Sequence, residues 1–253
     1  MPFTFSHPAL VIPLIRLQRR YPWLSATGLI TGSIAPDCEK FLRLRLASNH
    51  SHTFNSVFYF SCPVALVLAF VFHLLVRKPL LLHLPPALYR RLKQFSSFDW
   101  PDYFRKYYLG VTLSIIVGAM LHLFWDSFTH PSPFVDRIFP LLARPVWVDG
   151  EQTPFYYLVG LASSVLGGAF IVWAVWRMPA RQVRAVPTTG SVVRYWSMVA
   201  LVTVGLATQW IVVTKPELLD GGIAVISSSL VGLVVASVYT TYTNRKLVHE
   251  RLR

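Results

Sequence analysis

The chain of 253 residues is too apolar for a soluble domain of its size: 54% of its residues are hydrophobic and only 14% are charged, with a mean hydropathy of +0.48. Its net charge of +13 does not indicate nucleic acid, because Lys and Arg fall in the short segments between apolar runs and form no continuous stripe interleaved with exposed aromatics. What remains is an integral membrane protein whose basic residues set topology or meet anionic lipid headgroups.

In chain order, Met1 to Leu10 lacks a basic n-region, so the start reads as mature sequence. From Pro8 to Ile34 the chain is apolar but interrupted by Pro13, Pro22 and the basic trio Arg16, Arg19 and Arg20, which predicts two short helices at the interface and no crossing. Gly32 and Pro36 predict a turn that presents Asp37 at a helix end. Lys40 to Ser51 is polar and basic. Five spans of about 20 residues are then predicted: Val57–Val76, Tyr108–Phe128, Tyr156–Trp176, Tyr195–Val213 and Gly222–Tyr239. The loop from Arg77 to Lys106 has room for a short amphipathic helix at Ala87–Gln94. The fold class expected is all-α: a polytopic membrane helix bundle with an interfacial helical segment at residues 1–56, two spans at 57–142 and three further spans with a basic tail at 143–253.

With five crossings, the loops after the first and third spans and the tail share one side and carry fifteen basic residues, against nine on the other. The positive-inside rule therefore puts the carboxyl terminus in the cytoplasm and the amino-terminal segment outside. Cys38 and Cys62 have no framework spacing, and neither a disulfide nor a redox compartment follows from them.

Chemistry concentrates in the histidines and aspartates. In His122-Leu-Phe-Trp-Asp126 a spacing of four puts both polar side chains on one helix face, and His130 extends that stripe if the helix continues to Pro131. Ionisable groups inside a membrane helix cost a few kcal/mol, so they face protein, water or a metal. His7, Asp37, His50 and His52 precede the first crossing while His122 and Asp126 end the second, so parity places all of them on one side of the bilayer. Neutral imidazole and carboxylate are ligands for zinc, manganese or iron, and Asp37 or Asp126 is suited to bridging two ions. His50 is a candidate outer partner that fixes the tautomer of His52. Glu39 is either a general base or a carboxylate exposed near a turn. His73 reads as a packing or interfacial residue, and His83 and His249 as solvated.

The pieces SHP (Ser6–Pro8), GSIAPD (Gly32–Asp37), HSHTF (His50–Phe54) and HLFWDSFTH (His122–His130) together resemble the YdjM-like membrane-bound metal-dependent hydrolases. The opening MPFTFSHPA is similar to one branch of that group, the DUF4184 family. The order His, Asp, His, then HxxxD also resembles the zinc-dependent phospholipase C and P1 nuclease group, all-helical enzymes that cleave phosphoesters. That resemblance implies His7, Asp37, His52, His122 and Asp126 as metal ligands, with His130 a sixth. The sequence has no HxxxE motif after His130 and no processed amino-terminal Trp, so the resemblance implies one or two zinc-type ions in place of three.

The resulting expectation is a hydrolase of the bacterial inner membrane with its site on the extracytoplasmic face. It would cleave a phosphoester in a lipid or another substrate at the membrane interface, with Asp37 or Glu39 in acid–base roles and Arg43, Arg45 or Arg137 on the phosphate. Membrane lipids are the expected partners, nucleic acid is not, and the sequence is silent on oligomeric state. Two alternatives stand beside it: a metal-ion or proton transporter using the same His/Asp cluster, and a scaffold in which the cluster only ties helices together. The last three spans carry no ionisable residue at their centres, which weighs against a translocation path.

Overall fold

In the computed structural model, five helices among the described residues are long and apolar enough to cross a bilayer: Val57–Leu82, Trp100–Asp126, Phe155–Trp176, Thr189–Thr214 and Leu218–Thr243. The structure describes residues 3–148, 150–183 and 185–251, and the side chain of His249 lies outside the described residues. Among the described residues the fold is all-α apart from one short hairpin. The spans run past the hydropathy windows at several ends, because helical hydrogen bonding continues into the polar residues that follow an apolar run. The second span begins at Trp100 but carries a non-helical residue, Tyr107 (φ −128°, ψ 31°), immediately before the Tyr108 at which the apolar run starts.

Contacts group the chain into two units that interleave along the sequence. The first comprises Met1–Cys38, Asn49–Leu66 and Phe104–Val175. It opens with α1 (Pro8–Ile15), whose Pro8 sits in the first turn where its missing N–H costs nothing, and continues to α2 (Ala26–Ile34). Ser25 caps α2 by accepting the Gly28 N–H at 3.0 Å, and its own N–H donates to Ser114 Oγ of the second span at 2.9 Å. Gly28 and Gly32 on α2, with Gly118 on the span, let the two backbones touch. A Cβ at Gly32 would run into the Ile115 carbonyl, and one at Gly118 into the Leu29 carbonyl. A single 3₁₀ turn, Ala35–Asp37, contains Pro36 and joins α2 to α3 (Cys38–Arg43).

Two turns of the first span, Val57–Ser61 and Phe72–Val76, are π-helical. Each lies just ahead of a proline, Pro63 or Pro79, whose ring lacks an N–H and would crowd the carbonyl four residues back in a regular α-helix; a widened turn relieves that clash. After the second span, α-helical residues Pro133–Ile138 lead to an antiparallel hairpin of β1 (Pro145–Val148) and β2 (Glu151–Pro154). The hairpin was not anticipated, although Asp149-Gly150 is a two-residue turn signal and Gly150 adopts the φ of +84° that such a turn needs.

The second unit comprises Glu39–Ser48, Val67–Tyr103 and Trp176–Arg253. Its last two spans are joined through Lys215 in the left-handed region (φ 45°) followed by Pro216, a strong helix stop. They pack with Gly232 against the Val199 backbone and a buried hydrogen bond of 2.8 Å between Tyr195 and Ser237. His73 stacks on Trp100 with ring centroids 4.7 Å apart, the packing role expected of it. His83, expected to be solvated, is half-buried and stacks on Tyr195, because its Nδ1–H folds back onto the Pro79 carbonyl at 2.7 Å.

Candidate metal centre

Four side chains of the first unit converge: Asp37, His52, His122 and Asp126, each offering one ligand atom, all within 4.8 Å of one another. Asp37 comes from the 3₁₀ turn after α2. His52 comes from the loop ahead of the first span, where Thr53 and Ser56 accept each other's backbone N–H and the Ser56 hydroxyl donates to the Ser51 carbonyl at 2.7 Å. His122 and Asp126 close the second span. Asp37, His122 and Asp126 are buried, and only His52 reaches solvent, with 21% of its side chain exposed.

The distances are wide enough to admit an ion among the four groups. His52 Nε2 is 3.3 Å from both Asp37 Oδ1 and Asp126 Oδ2, while His122 Nε2 is 3.3 Å from Asp126 Oδ2 and 3.8 Å from Asp37 Oδ1. Direct charge-assisted hydrogen bonds are about 2.7–2.9 Å long. Ligands bound to zinc at about 2.0–2.1 Å in a tetrahedron stand roughly 3.3–3.4 Å from each other.

The tautomer of His122 points the same way. Its Nδ1 lies 2.8 Å from the Ser33 carbonyl oxygen, which only accepts, so Nδ1 carries the hydrogen and neutral imidazole leaves a lone pair on Nε2. That Nε2 is buried, has no hydrogen-bond partner and faces two carboxylates. His7 differs: its Nδ1 lies 3.3 Å from the Thr4 carbonyl and its Nε2 is hydrogen-bonded to Asp126 Oδ1 at 3.2 Å. Its ring stacks on His122 with centroids 3.9 Å apart. Protonating both rings would stack two cations, whereas one divalent cation would meet the free His122 nitrogen and the facing oxygens of Asp37 and Asp126.

The family described as Domain of unknown function (DUF4184) matches residues 1–239, nearly the whole chain. The protein belongs to the DUF4184 family. No curated protein and no solved structure matched it.

In this DUF4184 protein, the candidates read from sequence fall into three groups. Asp37, His52, His122 and Asp126 form the convergent set. His7 stands beside it on the other oxygen of Asp126. His130 does not continue the helical stripe: the second span ends at Asp126, short of Pro131, and His130 Nδ1 turns back to the Asp126 backbone carbonyl at 3.1 Å, leaving it 3.8 Å from the Asp126 carboxylate. Glu39 is buried and its carboxylate is held by the Arg43 guanidinium at 2.8 Å, so it is not the exposed group that one sequence reading allowed.

The outer partners were mostly not legible beforehand. Thr4 donates to Asp37 Oδ2 at 2.6 Å, and Ser51 Oγ sits 2.9 Å from His52 Nδ1. His50, expected in the latter role, has an exposed side chain, and its carbonyl accepts from Tyr59. Cys38 is not in the ligand set. Burial, reinforced by the adjacent Asp37 charge, pushes its thiol up to about 12, so it stays protonated.

Proposed function

We propose that this DUF4184 protein is a membrane-embedded, metal-dependent hydrolase that cleaves a phosphoester carried by a lipid or by another substrate at the membrane interface. The observation that carries the reading is the buried His122 Nε2, locked as a lone-pair donor by Ser33 and aimed at two carboxylates. Asp37, His52, His122 and Asp126 would hold the ion, and their mixed nitrogen and oxygen donors suit zinc. A divalent ion there supplies Lewis acidity and brings the pKa of a water toward 7.

The chain's own groups supply the rest. Thr4 fixes one oxygen of Asp37 and leaves the other toward the imidazoles. Asp126 presents Oδ2 to His52 and His122 and Oδ1 to His7, a bridging disposition that would serve a second ion. The half-exposed edge at His52 is the route by which a substrate phosphate would approach. His52 lies just ahead of the first span and His122 and Asp126 close the second, so the ligands would stand near headgroup depth, which favours a lipid phosphoester. The likeness of the motifs to YdjM-like hydrolases and to the phospholipase C and P1 nuclease group supports the same reaction class. Basic-residue asymmetry favours an orientation with the carboxyl terminus cytoplasmic and the centre on the opposite face.

Elemental analysis of the purified protein, paired with turnover of lipid and soluble phosphoesters, tests the reading. Near-stoichiometric zinc or a similar ion is expected, with metal and turnover lost together in His122→Ala and Asp126→Ala. A metal-free wild type, or variants that lose only thermal stability, would leave the cluster as a helix tie.

A further inference from the structure

The two basic loops that follow the first and third spans are far apart in sequence, yet in the second unit they are bonded to each other. The Arg181 N–H donates to the Arg90 carbonyl at 3.0 Å, and the Arg181 guanidinium reaches Gln94 Oε1 at 3.4 Å. Arg91 donates to the Trp176 carbonyl at 3.1 Å and lies over the Trp176 ring at 4.3 Å. Between the loops lies a cavity of about 640 Å³ lined by Lys93, Arg181, Gln94, Ser96, Ser97 and Tyr89 among others.

We propose that this cavity binds a phosphate group, supplied by an anionic lipid headgroup. Among the described residues lining it there is no carboxylate, and the side-chain hydrogen bonds of Lys93 and Arg181 go to the neutral groups Tyr89 OH and Gln94 Oε1. Two positive charges are thus held in place without being neutralised. An ammonium, a planar guanidinium fork and two hydroxyls are the donors that three phosphate oxygens accept from. Both loops leave odd-numbered spans, so they share one end of the helices, and Trp176 at the last residue of the third span marks headgroup depth there. That position selects a lipid phosphate over a soluble one. Topology-setting charge alone would need neither a shared cavity nor the bonds that join the loops.

The test is native mass spectrometry of the full chain released from nanodiscs of equal phosphatidylglycerol and phosphatidylcholine. Wild-type protein is expected to retain phosphatidylglycerol preferentially. Lys93→Gln combined with Arg181→Gln should retain it roughly thirty-fold less, the loss of two basic contributions at the membrane surface. Lys93→Arg should keep it, and Arg194→Gln, which removes a basic residue outside the cavity lining, should change it little. Retention unchanged in the double variant, or lost equally in Arg194→Gln, overturns the proposal. Added inorganic phosphate should fail to displace the lipid; displacement would overturn the headgroup assignment in favour of a soluble phosphate. An unchanged melting temperature of the double variant confirms that binding, not folding, is being read.

Discussion

His122 Nδ1 and the carbonyl oxygen of Ser33 are 2.8 Å apart, and that backbone contact decides which nitrogen of His122 faces Asp37 and Asp126. It exists only because α2 lies directly against the second span, with Gly28, Gly32 and Gly118 at the seam. Gly32→Ala should force the helices apart and withdraw the Ser33 carbonyl. The expected result is a stability loss of about 1–3 kcal/mol, typical of overpacking, together with reduced metal content. Gly168→Ala, at a position with open space around its Cβ, should leave both near wild type. Thermal unfolding and elemental analysis in detergent read the comparison. Equal behaviour of the two variants would break the link between the glycine seam and the centre.

Asp37 is held by a residue that no metal-ligand spacing would have singled out. Thr4 Oγ1 donates to Asp37 Oδ2 at 2.6 Å, fixing the carboxylate and leaving Oδ1 toward His52 and His122. Thr4→Val keeps the shape and deletes the donor. Metal affinity, measured by competition with a coloured chelator, should fall about 10- to 100-fold, the usual cost of losing an outer partner. An unchanged affinity would mean that Asp37 is positioned by its turn alone.

The spans, the two amino-terminal helices and the convergent residues were legible in the sequence for separate reasons. Hydropathy marks spans because the bilayer imposes a length. The i,i+4 rule put His122 and Asp126 on one face, and crossing parity put Asp37 and His52 at the same end. What stayed hidden depends on tertiary approach. That Gly28 and Gly32 of α2 meet Gly118 of the second span becomes evident only when the helices pack. Thr4 and Ser51 act through single hydrogen bonds set by local backbone shape, which spacing does not encode. His130 was placed on the stripe on condition that the helix reach Pro131, and the helix stops at Asp126; the Val-Trp-Val hairpin strand was overlooked because its apolar run is too short to stand out among spans.

Two neighbours of His52 separate cleanly in their expected roles. Ser51 is fully buried with its hydroxyl 2.9 Å from His52 Nδ1, whereas the His50 side chain is exposed. Ser51→Ala should weaken metal binding by about 10- to 100-fold by releasing the ring orientation. His50→Ala should change it by less than about threefold, consistent with a surface substitution worth within about 0.5 kcal/mol. A larger effect at His50 than at Ser51 would restore His50 as the residue that sets the His52 tautomer.

Metal removal should expose the electrostatic problem that the ion solves. Without a cation, the lone pair of His122 Nε2 faces the carboxylates of Asp126 and Asp37 at 3.3 and 3.8 Å in a buried site, so the folded state loses stability. An ion present at about a thousand times its dissociation constant stabilises the fold by about 4 kcal/mol. EDTA should therefore lower the melting temperature of the wild type in detergent, and added zinc should restore it. His122→Ala, lacking a ligand, should melt lower than the metal-loaded wild type and respond far less to EDTA. A wild type whose melting temperature ignores both chelator and zinc would show that protons, not a metal, balance the cluster.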